Sequence, residues 1–219
     1  MGKRLLDAAA SETAVMTKKE LLEAIAASEG RVMAAECIGV TMPLLSDVTN
    51  AETVAAMGAD IVLLNMFDVK EPKIGALPEV RPEETVRELK RLTGKVVGIN
   101  LEPVKADGQN AGTLWQMSEG RCATAENALR AVDMGVDIVL LTGNPGNGVS
   151  NDAIEHSLRA IRAAVGDRLI LAAGKMHASG VLSEGGEKIV TKEDIRAFRE
   201  AGADTVSYTH LRAHETAAN

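Results

Sequence analysis

Apolar residues of this chain fall into six short runs, with amphipathic segments between them. A continuous apolar run is typical of a buried parallel strand, and apolar positions at a 3.6-residue period are typical of a helix. The predicted strands are residues 32–38, 61–67, 96–101, 138–141, 169–173 and 205–206. The predicted helices are residues 17–28, 51–57, 82–92, 125–134, 153–165 and 192–201. This alternation predicts right-handed βαβ units and a parallel α/β sheet, preceded by one extra N-terminal helix.

A glycine followed two residues later by an aspartate marks the passage from helix to strand three times. These glycines are Gly58, Gly135 and Gly202, spaced 77 and 67 residues apart. Each interval holds two βα units of about 35 residues, close to the ~30 residues of a typical unit. The chain therefore supplies about five βα units and the beginning of a sixth strand. Because a (β/α)8 barrel needs eight, we predict a truncated TIM barrel. An open doubly wound sheet is the alternative, although no G-x-G-x-x-G follows the first strand.

The segment from Ser207 onward differs from the repeats before it. It contains the only tyrosine, Tyr208, and two of the four histidines, His210 and His214. The string from Ser207 to Thr216 resembles translated sequencing-adapter read-through at the ends of metagenomic reading frames. We therefore predict an incomplete barrel domain over residues 1–206 and a non-native tail over residues 207–219. An ordinary polar terminus is the alternative.

The charge balance argues against a polyanionic partner. There are 24 Lys and Arg residues against 31 Asp and Glu, a net charge of −7, so we expect neither a nucleic acid nor a membrane as partner. Two cysteines fit a reducing compartment better than a disulfide scaffold. No apolar run is long enough for a membrane span or a secretory signal, so a cytoplasmic location is expected.

The first five predicted strands each bring a polar residue to one rim, within the strand for Glu36 and at the carboxyl end for the others. Barrels of this kind have their active sites at that rim. Glu36, Lys175 and His177 are the predicted catalytic residues. Asn65, Asn100 and Thr142 are predicted to orient the substrate. Lys175 has two open roles, a Schiff-base nucleophile with a pKa lowered by burial or a salt-bridged rim lysine. His177, at a strand end, suits general acid or base catalysis, whereas His156 lies on an amphipathic helix and is expected at the surface.

Three carboxylates, Glu36, Asp68 and Glu102, come from three different strands. Such a set can share a hard cation, and we predict Mg²⁺ or Mn²⁺ at Asp68 and Glu102 in support of enolate chemistry. The alternative is structural. In it Glu36 pairs with Lys175 across the barrel, and Asp68 caps the following turn next to Lys70.

The loop over residues 143–152 is rich in glycine and asparagine and joins the fourth strand to a helix. Its backbone N–H groups and the start of the helix predict a cradle for a phosphate or carboxylate. The residues predicted to bind substrate there are Gly143, Asn144, Gly146, Asn147 and Gly148. A tight turn with Ser150 or Asn151 as the helix cap is the alternative.

Three phrases of the sequence resemble an uncharacterised bacterial TIM-barrel family. They are Leu63-Leu64-Asn65-Met66-Phe67-Asp68, Gly98-Ile99-Asn100-Leu101-Glu102-Pro103 and Leu141-Thr142-Gly143-Asn144-Pro145. The resemblance covers residues 1–206 and implies a barrel, but it transfers no reaction. Some members are labelled phosphoenolpyruvate phosphonomutase or haloacid-dehalogenase-like hydrolase. This chain lacks the Asp-x-Asp and Gly-Tyr-Gly motifs of the mutase group and the Asp-x-Asp-x-Thr/Val motif of the hydrolases, so neither label fits it. The Gly-Ala-Asp-x-Val phrase is also similar to that of phosphate-binding epimerase and aldolase barrels.

Together these features predict a lyase, isomerase or epimerase acting on a small phosphorylated or carboxylated metabolite. The alternative is a non-catalytic ligand-binding or regulatory barrel. The expected partner is a small anionic metabolite. Unclosed sheet edges would also permit pairing between copies of the chain, as a homo-oligomer.

Overall fold

The computed structural model describes residues 2–104, 117–143, 149–175 and 192–208, with the backbone alone for residues 142, 143, 175, 207 and 208. Six strands form one sheet in the order β1-β2-β3-β4-β5-β6, and every neighbouring pair is parallel. The strands are Ala34–Ile38 (β1), Ile61–Asn65 (β2), Val96–Leu101 (β3), Ile138–Gly143 (β4), Ile170–Lys175 (β5) and Thr205–Tyr208 (β6). The helices are Ala10–Thr13 (α1), Lys18–Ala27 (α2), Asn50–Ala56 (α3), Thr85–Thr93 (α4), Ala125–Met134 (α5), Asn151–Val165 (α6) and Lys192–Glu200 (α7).

The sequential strand order confirms the predicted partial (β/α) barrel. A doubly wound sheet reverses its strand order at a switch point, and no reversal occurs among the six described strands. The predicted N-terminal helix is also confirmed as α2. It begins with a capping box, in which Glu20 N donates to Thr17 Oγ1 at 3.3 Å and Thr17 N donates to Glu20 Oε2 at 2.8 Å.

The sixth strand is longer than the sequence predicted. It continues through Ser207 and Tyr208, and its register with β5 extends to the pair Lys175 and Tyr208. The predicted end at residue 206 is therefore wrong by two residues. The pairing is made by backbone groups, so a change to polar side chains does not by itself end a strand.

The three Gly-x-Asp phrases have the same structure. Gly58, Gly135 and Gly202 have φ angles of +107°, +88° and +108°, in the left-handed region that glycine enters without strain. Each aspartate then bonds to the preceding strand twice, through its backbone N–H and through a carboxylate oxygen that accepts a backbone N–H. The pairs are Asp60 with Met33, Asp137 with Val97 and Asp204 with Leu171, at 2.8–3.0 Å.

Apolar side chains cover both faces of the sheet. Val62, Leu64, Val97 and Ile99 alternate along β2 and β3 and pack in the large core beneath the helices. On the opposite, inner face a smaller cluster joins the lower parts of the strands to the N-terminal segment. Its buried members are Leu5, Leu21, Ala24, Ile61, Val96, Ile138, Leu140, Ile170 and Ala172. The N-terminal segment thus covers the lower end of the inner face, which leaves the carboxyl ends of the strands for a site. Within the described ranges, no helix has the length and apolar character required to span a bilayer.

Candidate functional site

Glu36, Asn65 and Asn100 meet on the inner face at the carboxyl ends of β1, β2 and β3. Asn65 Nδ2 donates to Glu36 Oε1 at 2.8 Å, and Asn100 Nδ2 donates to Glu36 Oε2 at 3.0 Å. The strand register explains the common face. Glu36, Leu63 and Gly98 lie side by side in one row across β1, β2 and β3. Asn65 and Asn100 each follow their member of this row by two residues, so their side chains lie on the same face as that of Glu36.

The contact between Glu36 and Asn100 crosses β2. Neighbouring strands lie about 4.8 Å apart, so β1 and β3 are separated by roughly twice that distance in a flat sheet. The inner face of a barrel is concave, and the long glutamate side chain closes the remaining gap. The two asparagines, predicted to orient a substrate, are therefore first of all the groups that orient Glu36.

The hydrogen bonds fix the identities of the amide atoms. A carboxylate accepts hydrogen bonds and does not donate, so the atoms of Asn65 and Asn100 that face Glu36 are nitrogens. Asn65 Oδ1 accepts from the backbone N–H of Met66 at 2.7 Å, in a turn where Met66 has φ +59°. Among the described residues Asn100 Oδ1 has no hydrogen-bond partner, although Asn100 is only 6% exposed.

The charge of Glu36 is not balanced within this group. Both of its partners are neutral amides, and among the described side chains no Lys, Arg or His forms an ion pair with it. Glu36 itself is exposed. Its neighbour in sequence, Cys37, has a pKa raised to about 11, mainly because the thiol is buried and secondly because of the negative charge of Glu36.

Asp68 occupies the turn after β2. Its Oδ1 accepts from Lys70 N at 2.7 Å and from Glu71 N at 3.0 Å, and its Oδ2 accepts a short hydrogen bond from Ser118 Oγ. The alternative that Asp68 caps this turn next to Lys70 is confirmed. Its assignment as a metal ligand stays a prediction.

Glu102 lies just beyond β3 beside Arg121. Arg121 donates to Glu102 Oε1 at 3.3 Å, and the exposed fractions of the two side chains are 10% and 15%. Two backbone bonds hold the same region together, from Glu102 N to Arg121 O and from Ala123 N to Glu102 O. The predicted ligand Glu102 is thus part of a largely buried ion pair. This pair was not predictable from the sequence, because no local pattern connects Glu102 with Arg121, 19 residues further along the chain.

The remaining predicted residues are placed only in part. Lys175 is the last residue of β5, in register with Gly143 of β4 and Tyr208 of β6, and Thr142 is in register with Gly174. The side chains of Lys175 and Thr142 are not described. His177, Asn144, Gly146, Asn147 and Gly148 lie outside the described residues. Their predicted roles are untested.

The helix after the glycine-rich loop has the cap that the sequence offered as an alternative. Ser150 Oγ accepts from Ala153 N at 3.1 Å at the start of α6. The predicted anion cradle stays a prediction. On α6 itself His156 is exposed, which confirms its expected surface position.

A cluster of metal-binding side chains is not found in the described ranges. No three His, Cys, Asp or Glu side chains there come together as a group that could hold an ion. The three carboxylates proposed to share a cation instead have separate partners, two asparagines for Glu36, a turn for Asp68 and an arginine for Glu102.

The family of the chain follows from a match over nearly its whole length. A family described as a domain of unknown function, DUF7916, matches residues 6–214. The chain belongs to this family. The match of this DUF7916 chain includes residues 207–214, the first part of the predicted tail. The comparison with curated proteins finds no match.

Solved structures resemble the chain at low sequence identity. One is 2,3-dimethylmalate lyase, a member of the phosphoenolpyruvate mutase and isocitrate lyase superfamily, with a TM-score of 0.53 and 13% identity, covering 91% of this chain and 65% of that one. The DUF7916 chain therefore spans about two thirds of the length of that lyase. A second is QR15, described as an aldolase, with a TM-score of 0.47 and 13% identity, covering 88% of this chain and 84% of that one. A third is a sugar phosphate isomerase/epimerase from Parabacteroides distasonis ATCC 8503, with a TM-score of 0.46 and 12% identity, covering 82% of this chain and 64% of that one. At these identities the likeness to the lyase shows the fold.

Proposed function

We propose that this DUF7916 protein is a lyase- or isomerase-type enzyme that acts on a small carboxylated or phosphorylated metabolite. The observation behind the proposal is the Glu36 carboxylate, held by Asn65 and Asn100 at the carboxyl ends of three adjacent parallel strands. In barrels of this architecture that edge of the sheet is where catalysis occurs. The reaction named for the similar lyase structure belongs to the proposed class.

The geometry of Glu36 suits proton transfer. Two neutral donors fix the direction of the carboxylate without supplying an opposite charge, so the group is oriented and still able to accept a proton. A structural carboxylate at the same edge is engaged differently, since Glu102 faces the guanidinium of Arg121. Glu36 is therefore the carboxylate we assign to the reacting carbon of the substrate.

The other groups of the proposed site complete this role. Lys175 and His177 are proposed to carry the second proton transfer of an isomerisation or cleavage, in which a proton is given to or taken from another atom of the substrate. The anionic end of the substrate is proposed to bind the glycine-rich loop at the start of α6, because backbone N–H groups and the helix N-terminus favour negative charge. The acceptor-only Glu36 and the anion-binding loop then hold opposite ends of one small molecule.

Exchange of substrate hydrogen with solvent tests the proposal. The protein is incubated in D₂O with 2-oxo acids and ketose phosphates, and deuterium at the carbon next to the carbonyl is followed by NMR. We expect exchange with one of these classes, reduced about 100-fold or more in Glu36→Gln, because general bases contribute roughly 10²–10⁴-fold. Glu119→Gln is the matched control, since Glu119 is an exposed carboxylate paired with Lys70.

Two results would contradict the proposal, the first its catalytic activity and the second the role of Glu36. Binding of a compound without any exchange would favour the non-catalytic ligand-binding barrel. Equal exchange in the wild type and in Glu36→Gln would remove Glu36 from the mechanism.

A further inference from the structure

Within the described part of the site, Asn100 Oδ1 is buried and accepts no hydrogen bond. An unsatisfied buried acceptor costs about 1–3 kcal/mol, and native proteins leave few of them. Asn100 cannot resolve the problem by turning its amide over, because Oδ1 would then face the carboxylate of Glu36. A water molecule, a further donor or a positive ion would satisfy this atom.

The surroundings of this oxygen favour a positive ion. Oδ1 and Nδ2 of Asn100 are bonded to the same carbon, so Oδ1 lies close to the Glu36 oxygen that Nδ2 contacts. Each Glu36 oxygen accepts one hydrogen bond and keeps further lone-pair capacity. The described neighbours of Glu36 supply no cation. The site thus offers hard oxygen atoms and a net negative charge.

We infer that Glu36 and Asn100 Oδ1 form a binding site for a divalent cation, Mg²⁺ or Mn²⁺, on the inner face of the sheet. Such ions prefer carboxylate and carboxamide oxygens, and Mg²⁺ is commonly held by one or two carboxylates with water and substrate oxygens in the other positions. The exposed Glu36 gives access from solvent, and the buried Asn100 fixes the depth of the ion.

This assignment differs from the cation site predicted at Asp68 and Glu102. Asp68 already accepts three hydrogen bonds, two of them from backbone N–H groups, and Glu102 is paired with Arg121. A cation at either place would compete with these partners. At Glu36 it would instead add a partner to Asn100 Oδ1 and balance a charge that the asparagines leave in place.

The inference rests on the proposed function only for its purpose, because a cation bound to Glu36 would polarise a substrate carbonyl. With the cation bound, Glu36 would serve as its ligand, and Lys175 and His177 would carry the proton transfers in its place. Binding of Mn²⁺ alone requires no substrate and no turnover. A protein that binds Mn²⁺ and exchanges no hydrogen contradicts the proposed function. A protein that exchanges hydrogen equally well with a chelator and binds no Mn²⁺ contradicts the cation site.

The test measures Mn²⁺ binding by electron paramagnetic resonance and by the shift of the thermal unfolding midpoint. We expect binding with a dissociation constant of about 1 mM or below, in the range of weak protein cation sites. Glu36→Gln and Asn100→Ala should each weaken it about tenfold or more, since even indirect contacts contribute that much to metal affinity. Asp68→Asn and Glu102→Gln are the matched controls and should bind like the wild type.

Asn100→Asp separates a ligand from a merely structural residue. The new carboxylate loses the donor to Glu36 and repels it, so the variant should be less stable without metal. If Asn100 is a ligand, Mn²⁺ should bind more tightly than in the wild type and restore the unfolding midpoint. Loss of stability without this rescue would overturn the inference. Loss of Mn²⁺ binding in Asp68→Asn or Glu102→Gln, with binding kept in Glu36→Gln and Asn100→Ala, would also overturn the inference. Binding that appears only after Lys175→Met would overturn it as well, because the Lys175 ammonium would then be the partner of Glu36.

Discussion

Gly120 lies directly against the carboxylate of Asp68. A methyl group at the Gly120 α-carbon would stand 1.7 Å from Asp68 Oδ1 and 2.8 Å from the backbone nitrogen of Lys70. The turn after β2 and the segment that precedes α5 therefore meet without room for a side chain. Val69 N also donates to Gly120 O at 3.2 Å, so the contact joins two loops at the same edge of the sheet.

Gly120→Ala should lower the free energy of unfolding by about 1–3 kcal/mol, because overpacking forces both loops apart. Gly39→Ala is the matched control. Its added methyl would have ordinary contacts of 3.6 Å with Ile74 and Leu64, and its stability should stay the same or rise by up to about 1 kcal/mol. Urea unfolding of the three proteins provides the comparison. Equal midpoints for the two variants would show that the loops can separate freely.

Ala76→Gly should stabilise the protein. Ala76 is exposed and has φ +62°, a left-handed conformation that costs a residue with a Cβ roughly 1–2 kcal/mol, partly offset by the greater entropy of glycine in the unfolded chain. We expect a net gain of about 0.5–1 kcal/mol in chemical denaturation. Ala26→Gly, at an exposed position within the right-handed α2, should lose a similar amount. A loss in both variants would contradict the positive φ of Ala76.

Asp204→Asn should be more destabilising than Asp60→Asn, although the two aspartates hold equivalent places in the repeated phrase. Asp204 pairs with Lys18 at 2.9 Å and with Arg162 at 2.5 Å, and its side chain is 15% exposed. In the part of the chain that the structure describes, no cation pairs with Asp60, which bonds Met33 N. An asparagine can still accept the backbone N–H in both places. In Asp204→Asn, however, Lys18 and Arg162 lose the largely buried one of their two carboxylate partners and keep only the exposed Asp167.

We expect Asp204→Asn to cost about 1.5–3 kcal/mol and Asp60→Asn less than about 1 kcal/mol, since hydrogen bonds to charged groups are the stronger ones. Urea denaturation at two salt concentrations measures both. A similar cost for the two variants would mean that the contact with the preceding strand, and not the ion pairs, determines the contribution of Asp204.

Cys37 should react slowly with alkylating reagents at neutral pH. Its pKa is raised from 9.0 to about 11, chiefly by burial, and the thiolate is the reactive form. In a Cys122→Ser background the rate of reaction with iodoacetamide should rise to half its maximum near pH 11, and near pH 9 in denaturant. A folded-state midpoint near 9 would refute the shift.

The same shift has a consequence for stability at alkaline pH. Because the folded-state pKa of Cys37 lies above the unfolded value, the stabilising contribution is complete below about pH 9 and is lost as the pH rises through about 11. Cys37→Ala should remove that part of the alkaline loss. An unchanged slope of unfolding free energy between pH 9 and pH 11 would show that the thiol does not contribute.

Most of the element order was predictable from local signals. The apolar runs and the helical periods gave all six strands and six of the helices, and β3 and α5 have their predicted bounds. Errors occur at the ends, where β1 begins two residues later than predicted and β6 ends two residues later. Strand ends depend on which backbone groups find a partner in the neighbouring strand, and the side-chain pattern does not contain that information.

The candidate site was predictable only as a set of residues. Glu36, Asn65 and Asn100 were singled out because they lie in predicted strands and face one rim. Glu36 was predicted to be catalytic, bound to a metal or paired with Lys175, and the asparagines were predicted to orient a substrate. The actual partners are 29 and 64 residues apart in the chain. The ion pair of Glu102 with Arg121 and the contact of Asp68 with Gly120 have no local signature at all.

The sequence by itself determined the parallel α/β repeat, because hydrophobic periodicity, glycine at left-handed positions and helix caps act over a few residues. The tertiary structure alone decided which polar groups meet at the upper edge of the sheet. Strand register places Glu36, Asn65 and Asn100 on one face, and only the curvature of the sheet brings a side chain of β1 into contact with one of β3. That geometry leaves Asn100 Oδ1 buried beside a carboxylate, with no hydrogen-bond partner in the ranges that the structure describes.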